Sequence, residues 1–388
     1  MNMENLDLIK RKAVQIFSEE ELNNKIKSGK KLIIKLGADP SRPDLHIGHS
    51  VALRVLRQFQ EMGHEVVFVV GDFTGMIGDP SGKNKTRPAL TFEQTRKSAQ
   101  TYFEQATKIL DKEKTKIMFN SEWLSKLNFG DVIDLASHYT VARMMERDDF
   151  KNRFEHNLPL SMHELLYPLM QGYDSVHLKA DIEIGGTDQT FNLLVGRELQ
   201  KQYGQEPQVV MTFPLLVGLD GKEKMSKSLD NYIGLSDTPF EKYEKSMKVP
   251  DTVLRQYFEL ATDLEQKEID EILNGDIRKA HERLAEELIT MYDKKEDFQK
   301  AQKRYEEIAK GKIPSQIPEM CLPQTNYILC DLLVKVGFAP SKSEAKRMIQ
   351  GSGIKINGEL QTDNLAKIKI EDGLVVQFGK NRFIKIKK

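Results

Sequence analysis

Residues 31–72 read KLIIKLGADPSRPDLHIGHSVALRVLRQFQEMGHEVVFVVGD, two apolar runs with an amphipathic segment between them. The first run, Lys31–Gly37, predicts a buried strand that ends at a glycine. A helix is expected from near His46, because the apolar residues that follow recur at three- and four-residue steps. These residues are Val51, Val55, Phe59 and Met62. Glu65–Asp72 resumes as a strand, so the stretch predicts a βαβ unit.

The same alternation continues toward the middle of the chain. Further β-like runs stand at TKIMFN (115–120), VHLKADIEIGG (176–186) and QVVMTFPLLVG (208–218), with helical patterns between them. This order predicts an α/β fold with a mostly parallel sheet and helices on both faces. Ligands of such sheets bind beyond the carboxyl ends of the strands.

Later segments differ in character. Residues 234–312 lose the strand signals and show charged amphipathic patterns, which predict a helical domain. Prolines crowd 313–326, which predicts a linker, because proline cannot continue a helix. Residues 327–388 combine the helical SKSEAKRMIQG with the β-like GIKING and GLVVQFG. The expected domains are therefore 1–233, 234–312 and 327–388, joined by the linker.

Composition excludes several classes of protein. The 388 residues are 39% hydrophobic and 30% charged, without a long apolar run, so neither disorder nor a membrane span is expected. No secretory signal is apparent, and two cysteines cannot form a disulfide framework, which favours the cytoplasm. Residues 327–388 carry 12 lysines and arginines against 6 aspartates and glutamates, which indicates contact with a polyanion.

Two histidines, His46 and His49, flank Ile47 and Gly48 at the predicted start of the helix. They share a helix face near its positive end, a place that suits phosphate oxygens. Gly48 has no side chain, so a flat base could approach the backbone there. The motif alone also fits partly exposed histidines or a metal pair, although no third ligand is apparent.

Two lysines of Lys224-Met-Ser-Lys-Ser228 lie three residues apart on an expected loop after a glycine-bearing turn. Such a loop could close over a triphosphate, although a short basic loop is more often solvated surface.

Gly78-Asp-Pro-Ser-Gly-Lys83 resembles a P-loop only superficially, because its spacing and its following residue, Asn84, do not fit.

Polar residues at four- and three-residue steps mark one face of another predicted helix: Tyr167, Gln171 and Asp174. GGTDQ (185–189) follows. A polar face of this kind either meets solvent or lines a pocket with hydrogen-bonding groups, and periodicity leaves both alternatives open.

HIGH and KMSKS together, in this order, resemble the two signatures of class I aminoacyl-tRNA synthetases. YxxxQxxD with GGTDQ resembles the tyrosine pocket of tyrosyl-tRNA synthetases. The resemblance covers nearly the whole chain and implies three parts: a Rossmann-like parallel-sheet catalytic domain, an α-helical anticodon-side domain, and a small α+β RNA-binding domain. It implies activation of L-tyrosine by ATP, with Mg²⁺ carried on ATP and no prosthetic group, then transfer to tRNA(Tyr) by a homodimer.

The resemblance also implies roles for individual residues. On the tyrosine side, the amino group would be held by Asp79, Tyr167 and Gln171, and the hydroxyl by Asp174. The adenylate ribose would contact Asp188, with Gln189 and Asp39 nearby. Ser41 and His46 would contact the polyphosphate, and His49 with Gly48 the ribose and adenine. The departing pyrophosphate would be stabilised by Lys83, Arg87, Lys224, Lys227 and Ser228.

Lys35 departs from the family pattern, since many members have a tyrosine there that shares the substrate hydroxyl. A salt bridge that points away from the pocket is the favoured alternative, and a contact beside the hydroxyl is the other.

The nearest rival function is tryptophanyl-tRNA synthetase, against which the face of Tyr167, Gln171 and Asp174 argues. A synthetase-like RNA-binding protein without activation activity is the rival from another class, and it would not need both phosphate-handling motifs.

Overall fold

The computed structural model describes residues 3–39, 45–79, 92–315, 317–323 and 325–387 of the 388-residue chain. The chain divides into two compact units. The first contains the residues up to Thr238 together with Lys245–Tyr292, and the second contains Pro239–Glu244 and Asp293–Lys388. In the part of the chain that is described, no helix combines the length and the apolar content needed to cross a membrane.

The first unit holds six strands among its described residues: β1 (Gln15–Phe17), β2 (Ile33–Ala38), β3 (Glu65–Val70), β4 (Thr115–Phe119), β5 (Ile182–Gly186) and β6 (Val209–Phe213). The helices are α1 (Met3–Lys12), α2 (Glu19–Lys27), α3 (Ile47–Glu61), α4 (Phe92–Ala106), α5 (Ser121–Leu124), α6 (Phe129–Ser137), α7 (Val141–Met144), α8 (Asp148–Glu155), α9 (Met162–Leu178), α10 (Thr190–Gln202), α11 (Pro239–Ser246, shared with the second unit), α12 (Asp251–Ala261), α13 (Gln266–Leu273) and α14 (Ile277–Tyr292).

The described strands of the first unit form one sheet in the order β1-β6-β5-β2-β3-β4. Strands β2 to β6 run parallel, with Ile34 of β2 opposite Val66 of β3 and Ile182 of β5. This confirms the predicted parallel sheet. Only β1 is antiparallel, paired with β6, and this short edge strand was missed because it has no clear alternating pattern.

Helix α3 contains the apolar stripe that the sequence of residues 31–72 predicts. Val51, Val55 and Phe59 are at most 2% exposed, and they join the main core beneath the sheet. His46 is the N-cap, in an extended conformation, so the helix begins at the expected place. Asp39 directly follows the carboxyl end of β2, and α3 begins a short way further along the chain.

Residues 234–310 contain no strand, as their amphipathic pattern predicts. Beyond them the second unit holds α15 (Lys295–Ala309), β7 (Glu319–Cys321), β8 (Asn326–Ile328), α16 (Leu329–Lys335), α17 (Lys342–Gln350), β9 (Ile354–Ile356), β10 (Glu359–Leu360), β11 (Lys367–Lys369), β12 (Val375–Phe378) and β13 (Arg382–Lys387). Helix α17 and strands β9 and β12 fall where the sequence predicts them.

Part of the segment expected to be a linker is built into the second unit. Within 313–326, β7 pairs in parallel with β13, and Leu322 is buried in this unit's own core. Proline excluded a helix there but did not exclude a strand. The wider domain boundaries stay predictions.

Phe59→Ala should destabilise the first unit by about 3–5 kcal/mol, because a large side chain with no solvent exposure leaves a cavity. Urea denaturation followed by the fluorescence of Trp123, the single tryptophan of the chain, measures the change in that unit. Val14→Ala, at a side chain that is 52% exposed, is the control and should stay within about 0.5 kcal/mol of wild type. Equal losses for the two variants would contradict this account of the core.

Candidate active site

The polar residues of the candidate site follow directly after the parallel strands. Asp39 comes after β2, Thr74 shortly after β3, Asn120 after β4 and Asp188 after β5. Parallel strands end at one edge of a sheet, so short loops bring these side chains together. Helix α9 adds Tyr167, Gln171 and Asp174 from the side.

Asp39 is the first centre of this array. Its Oδ2 accepts a 2.8 Å hydrogen bond from the Tyr167 hydroxyl, and its Oδ1 accepts one of 2.8 Å from Thr74 Oγ1. A Cβ at Gly71 would collide with both the Asp39 carboxylate and Thr74, so only glycine fits that position. Burial, with the nearby Asp39 charge, raises the pKa of Tyr167 far above its ordinary value, so this phenol stays a donor.

Asp174 is the second centre and is 3% exposed. Its Oδ1 accepts a 2.8 Å hydrogen bond from Trp123 Nε1, and its Oδ2 accepts one of 3.3 Å from Asn120 Nδ2. Asn120 also donates to Thr74 Oγ1 at 3.0 Å, which links the two centres. Burial raises the pKa of Asp174 to about 7, against the opposing effects of the Lys35 charge and of the two donors.

Lys35 forms the salt bridge that was the favoured alternative. It is fully buried, with its ammonium 2.8 Å from Glu183 Oε1, and it donates to Ser175 Oγ at 2.8 Å and to the Gln171 carbonyl at 3.1 Å. The lysine therefore lies beneath helix α9 with its charge paired.

A further cluster joins Asp79 to the side chains of helices α9 and α10. Gln189 Nε2 donates to Asp79 Oδ2 at 2.8 Å, and Asn192 Nδ2 donates to Gln189 Oε1 at 3.1 Å and to Gln171 Oε1 at 3.0 Å. Arg147 donates to Asn192 Oδ1 at 3.1 Å and lies 3.5 Å from Asp79 Oδ1. A carboxylate, two amide oxygens and the Arg147 guanidinium thus meet in one place, and each oxygen has a second lone pair with which it could accept from an ammonium group.

The two histidines lie at the N-terminus of α3 with ring centroids 3.8 Å apart. Nδ1 of His49 accepts a 3.2 Å hydrogen bond from the His46 amide. A Cβ on Gly48 would come within 2.9 Å of His46 Nδ1, so glycine leaves room for the two rings, whose planes are tilted by 39°. Burial, followed by the neighbouring His49 and Lys227 charges, lowers the pKa of His46 to about 2; burial and Lys227 lower that of His49 to about 4. Both imidazoles are neutral near pH 7 and can act only as hydrogen-bonding groups.

The lysine-bearing segment after β6 contains a short 3₁₀ helix, Lys227–Leu229, where a loop was expected. Asn231 holds it: its side chain accepts from the Ser226 amide at 2.7 Å and donates to the Lys224 carbonyl at 3.3 Å. Lys224 Nζ lies 2.8 Å from Asp188 Oδ2. The Ile47 amide donates to the Ile233 carbonyl at 3.0 Å, and the charge of Lys227 lowers the pKa of both histidines, so the segment lies beside the N-terminus of α3.

Three residues expected in the site, Ser41, Lys83 and Arg87, lie outside the described residues. The polar face of α9 could either meet solvent or line a pocket. Tyr167 and Asp174 on this face are buried, so the face lines an interior site. Among the described residues no group of three or more histidines, cysteines, aspartates and glutamates is arranged to hold a metal ion.

Sequence reasoning missed several partners in the array. Thr74, Trp123, Arg147 and Asn192 belong to no motif that was recognised, and Asn120 was assigned only to a strand. The position rule could have found Asn120, since it is the first residue after β4. The others hold motif residues in place and carry no local signal of their own.

Comparison with known proteins places the chain in one family. The family model for class I tRNA synthetases (W and Y) matches residues 27–310, and the model for the tyrosine–tRNA ligase SYY-like C-terminal domain matches residues 307–385. The tyrosine–tRNA ligase of Deinococcus radiodurans is 50% identical over 394 residues, covering 99% of this chain and 96% of that protein. That of Thermotoga maritima is 48% identical, covering 99% and 97%.

Solved structures give the same fold. A tyrosyl-tRNA synthetase from Archaeoglobus fulgidus, complexed with L-tyrosine, superposes with a TM-score of 0.62 at 26% identity and covers 77% of this chain and 99% of that one. A C-terminally truncated mitochondrial tyrosyl-tRNA synthetase from Aspergillus nidulans gives 0.64 at 24% identity, covering 79% and 93%.

The indole of Trp123 should report the ionisation of Asp174, because its Nε1 donates directly to that carboxylate. We expect the single indole ¹⁵N–¹H resonance to shift with a midpoint near pH 7, as Asp174 ionises above its raised pKa of about 7. Asp174→Asn should abolish the shift. His177 stacks on the indole with ring centroids 4.5 Å apart, so His177→Gln is the control and should keep it. A midpoint that vanishes only in the histidine variant would contradict the assignment.

Proposed function

We propose, because this chain belongs to the tyrosine–tRNA ligase family of class I aminoacyl-tRNA synthetases, that the polar array beyond its parallel strands binds tyrosine and ATP. The enzyme joins tyrosine to its transfer RNA. The observation that carries the residue assignments is the buried Asp174 carboxylate, whose two oxygens each accept a hydrogen bond from an N–H donor.

In the first step, a carboxylate oxygen of tyrosine attacks the α-phosphorus of ATP. The bond to the β-phosphate oxygen breaks, so tyrosyl-adenylate forms and pyrophosphate leaves. The nucleophile is already ionised and needs no catalytic base, so the protein contributes in-line positioning and stabilisation of phosphate charge. ATP enters with its Mg²⁺ as a substrate, and no prosthetic group is required.

On the tyrosine side, Asp174 accepts a hydrogen bond from the substrate hydroxyl. The amino group is held by Asp79, Tyr167 and Gln171, with Gln189 between Asp79 and Asn192. The contacts already made among these groups support this assignment, because they fix the oxygens before the ligand arrives. Preorganised acceptors reduce the ordering cost of binding.

On the ATP side, His46 and Ser41 contact the polyphosphate, while His49 and the bare backbone at Gly48 meet the ribose and adenine. Asp188 holds the adenylate ribose, with Asp39 close to the intermediate. The neutral imidazoles donate hydrogen bonds, so positive charge must come from the lysines. The residues proposed to stabilise the departing pyrophosphate are Lys83, Arg87, Lys224, Lys227 and Ser228.

In the second step, a hydroxyl of the terminal ribose of tRNA(Tyr) attacks the adenylate carbonyl. The ester forms and AMP leaves. No covalent enzyme intermediate is involved. The basic segment 327–388 holds the transfer RNA through its phosphates, which a twofold excess of basic over acidic residues supports.

Selection against phenylalanine rests on binding. Without the hydroxyl, the buried Asp174 would lose a partner that it cannot replace with water, an effect for which tyrosyl-tRNA synthetases are the standard example. Tryptophan is the other amino acid of the matched family model, yet the relatives near 50% identity are tyrosine–tRNA ligases.

The homodimer is supported by a run of exposed apolar side chains. Among described residues between β4 and β5, several large apolar residues are more than half exposed: Phe129, Ile133, Val141, Phe154 and Met162. Large apolar side chains that stay this exposed favour a contact with another protein, here a second copy of the chain. The cytoplasm is supported by the two cysteines, Cys321 and Cys330, which are both free thiols.

Exchange of pyrophosphate into ATP, tested with each of the twenty amino acids, should occur with tyrosine and not with tryptophan.

Lys227→Met should lower this exchange by a few orders of magnitude with little change in tyrosine binding, because the lysine acts on charge that develops in the transition state. Lys222→Met, at an exposed lysine of the preceding turn, is the control. Exchange that depends on another amino acid would refute the function, and a normal rate for Lys227→Met would refute its role.

Removal of residues 316–388 should spare pyrophosphate exchange and impair charging of the transfer RNA. The cut precedes β7, because β7 pairs with β13 and a later cut would leave part of that sheet behind. Charging by the full-length enzyme should fall as the salt concentration rises, because binding through phosphate contacts releases counterions and is therefore weakened by salt. Equal charging by both proteins at low and moderate salt would contradict the proposed role of the segment.

A further inference from the structure

A fully buried ion pair lies beneath the helix that carries the proposed tyrosine contacts. Lys35 of β2 is 0% exposed and Glu183 of β5 is 1% exposed, with 2.8 Å between the ammonium and Oε1. The ammonium also donates hydrogen bonds to the Gln171 carbonyl at 3.1 Å and to Ser175 Oγ at 2.8 Å. A buried pair of this kind adds little stability relative to well-packed apolar residues, so stability alone does not explain why the chain has one here.

The contacts of Lys35 bracket Asp174 along α9. Lys35 donates to the Gln171 carbonyl at 3.1 Å and to Ser175 Oγ at 2.8 Å, and these residues stand before and directly after Asp174. Ser175 Oγ in turn donates to Glu183 Oε2 at 3.0 Å. The ion pair therefore fixes the backbone of α9 at the turn that presents the Asp174 carboxylate.

We propose that the Lys35–Glu183 pair is a positioning element for substrate selection: the pair fixes the turn of α9 that presents Asp174, and its lysine supplies the positive charge that keeps this carboxylate ionised to accept the tyrosine hydroxyl. This rests on the proposed function, which gives Asp174 that contact. Lys35 does not touch the substrate and acts only through Asp174.

The charges that face Asp174 favour this account. Lys35 from β2 opposes the effect of burial on its carboxyl, whereas Glu183 from β5 reinforces that effect. The remaining neighbours, Asn120 and Trp123, are neutral donors, and His177 stacks on the indole ring, where the charges of Lys126 and Glu122 act on it. Lys35 is the one cation among the groups named here that act on the Asp174 carboxyl itself, so removing it should raise the pKa of Asp174, and removing the Glu183 charge should lower it.

The test uses the full chain and two readouts, the pH titration of the Trp123 indole resonance and the kcat/KM ratio of tyrosine to phenylalanine in pyrophosphate exchange. Lys35→Met should move the titration midpoint upward by at least about one pH unit. At pH 6 the kcat/KM of Lys35→Met for tyrosine should be about tenfold below that of wild type, because the ionised fraction of Asp174 is lower by about that factor. Use of phenylalanine should stay unchanged, and raising the pH should restore the ratio.

Two variants separate charge from packing. Lys35→Arg keeps the cation and should keep the midpoint near that of wild type, while Glu183→Gln should move the midpoint downward. Lys25→Met is the matched control, because Lys25 is 7% exposed and pairs with Glu206 at 2.7 Å and with Asp181 at 3.6 Å, both outside α9. It should change neither readout.

The outcomes are distinguishable. If Asp174→Asn leaves the tyrosine-to-phenylalanine ratio intact, the proposed hydroxyl contact is wrong. If Asp174→Asn lowers that ratio while Lys35→Met and Glu183→Gln both keep the wild-type midpoint, the ion pair has no role in selection. Should Lys35→Met fail to fold, Glu183→Gln decides alone, and a midpoint that does not move downward overturns the proposal.

Discussion

The central strand β2 carries a lysine ammonium into the interior, and the surrounding structure must satisfy that charge. Lys35 has no solvent exposure, so its ion pair with Glu183 and its hydrogen bonds to α9 tie β2, β5 and that helix together. Leaving one member of a buried pair alone costs about 3–5 kcal/mol, which is a large fraction of the stability of most domains. The position of α9, and with it the line of Tyr167, Gln171 and Asp174, depends on this constraint.

Above the ion pair, hydrogen bonds link the two ends of the candidate site. Asn120 donates both to Asp174 and to Thr74, and Thr74 donates to Asp39. The proposed hydroxyl contact and the proposed adenylate contact therefore share one buried network at the carboxyl ends of the strands. Since buried polar networks are costly when partly satisfied, a displaced side chain at either end would disturb the other.

Periodicity predicted the parallel sheet and helix α3, since their apolar residues repeat with the period of the element they form. It could not decide whether the polar face of α9 meets solvent, because burial is a property of the packed chain. Likewise Lys35 reads in sequence as one polar residue in an apolar run, and its partner Glu183 lies far along the chain. Trp123 and Asn192 were missed for the same reason: each acts on a motif residue that only the fold brings near.

The central claim is that Asp174 accepts a hydrogen bond from the tyrosine hydroxyl. A crystal structure with a non-hydrolysable tyrosyl-adenylate analogue tests it most directly. We expect the phenolic oxygen within about 2.5–3.0 Å of an Asp174 carboxylate oxygen, with the ribose of the analogue beside Asp188 in place of the Lys224 contact. An analogue whose phenol is bound by other side chains, while Asp174 keeps only Trp123 and Asn120 as partners, would contradict the account.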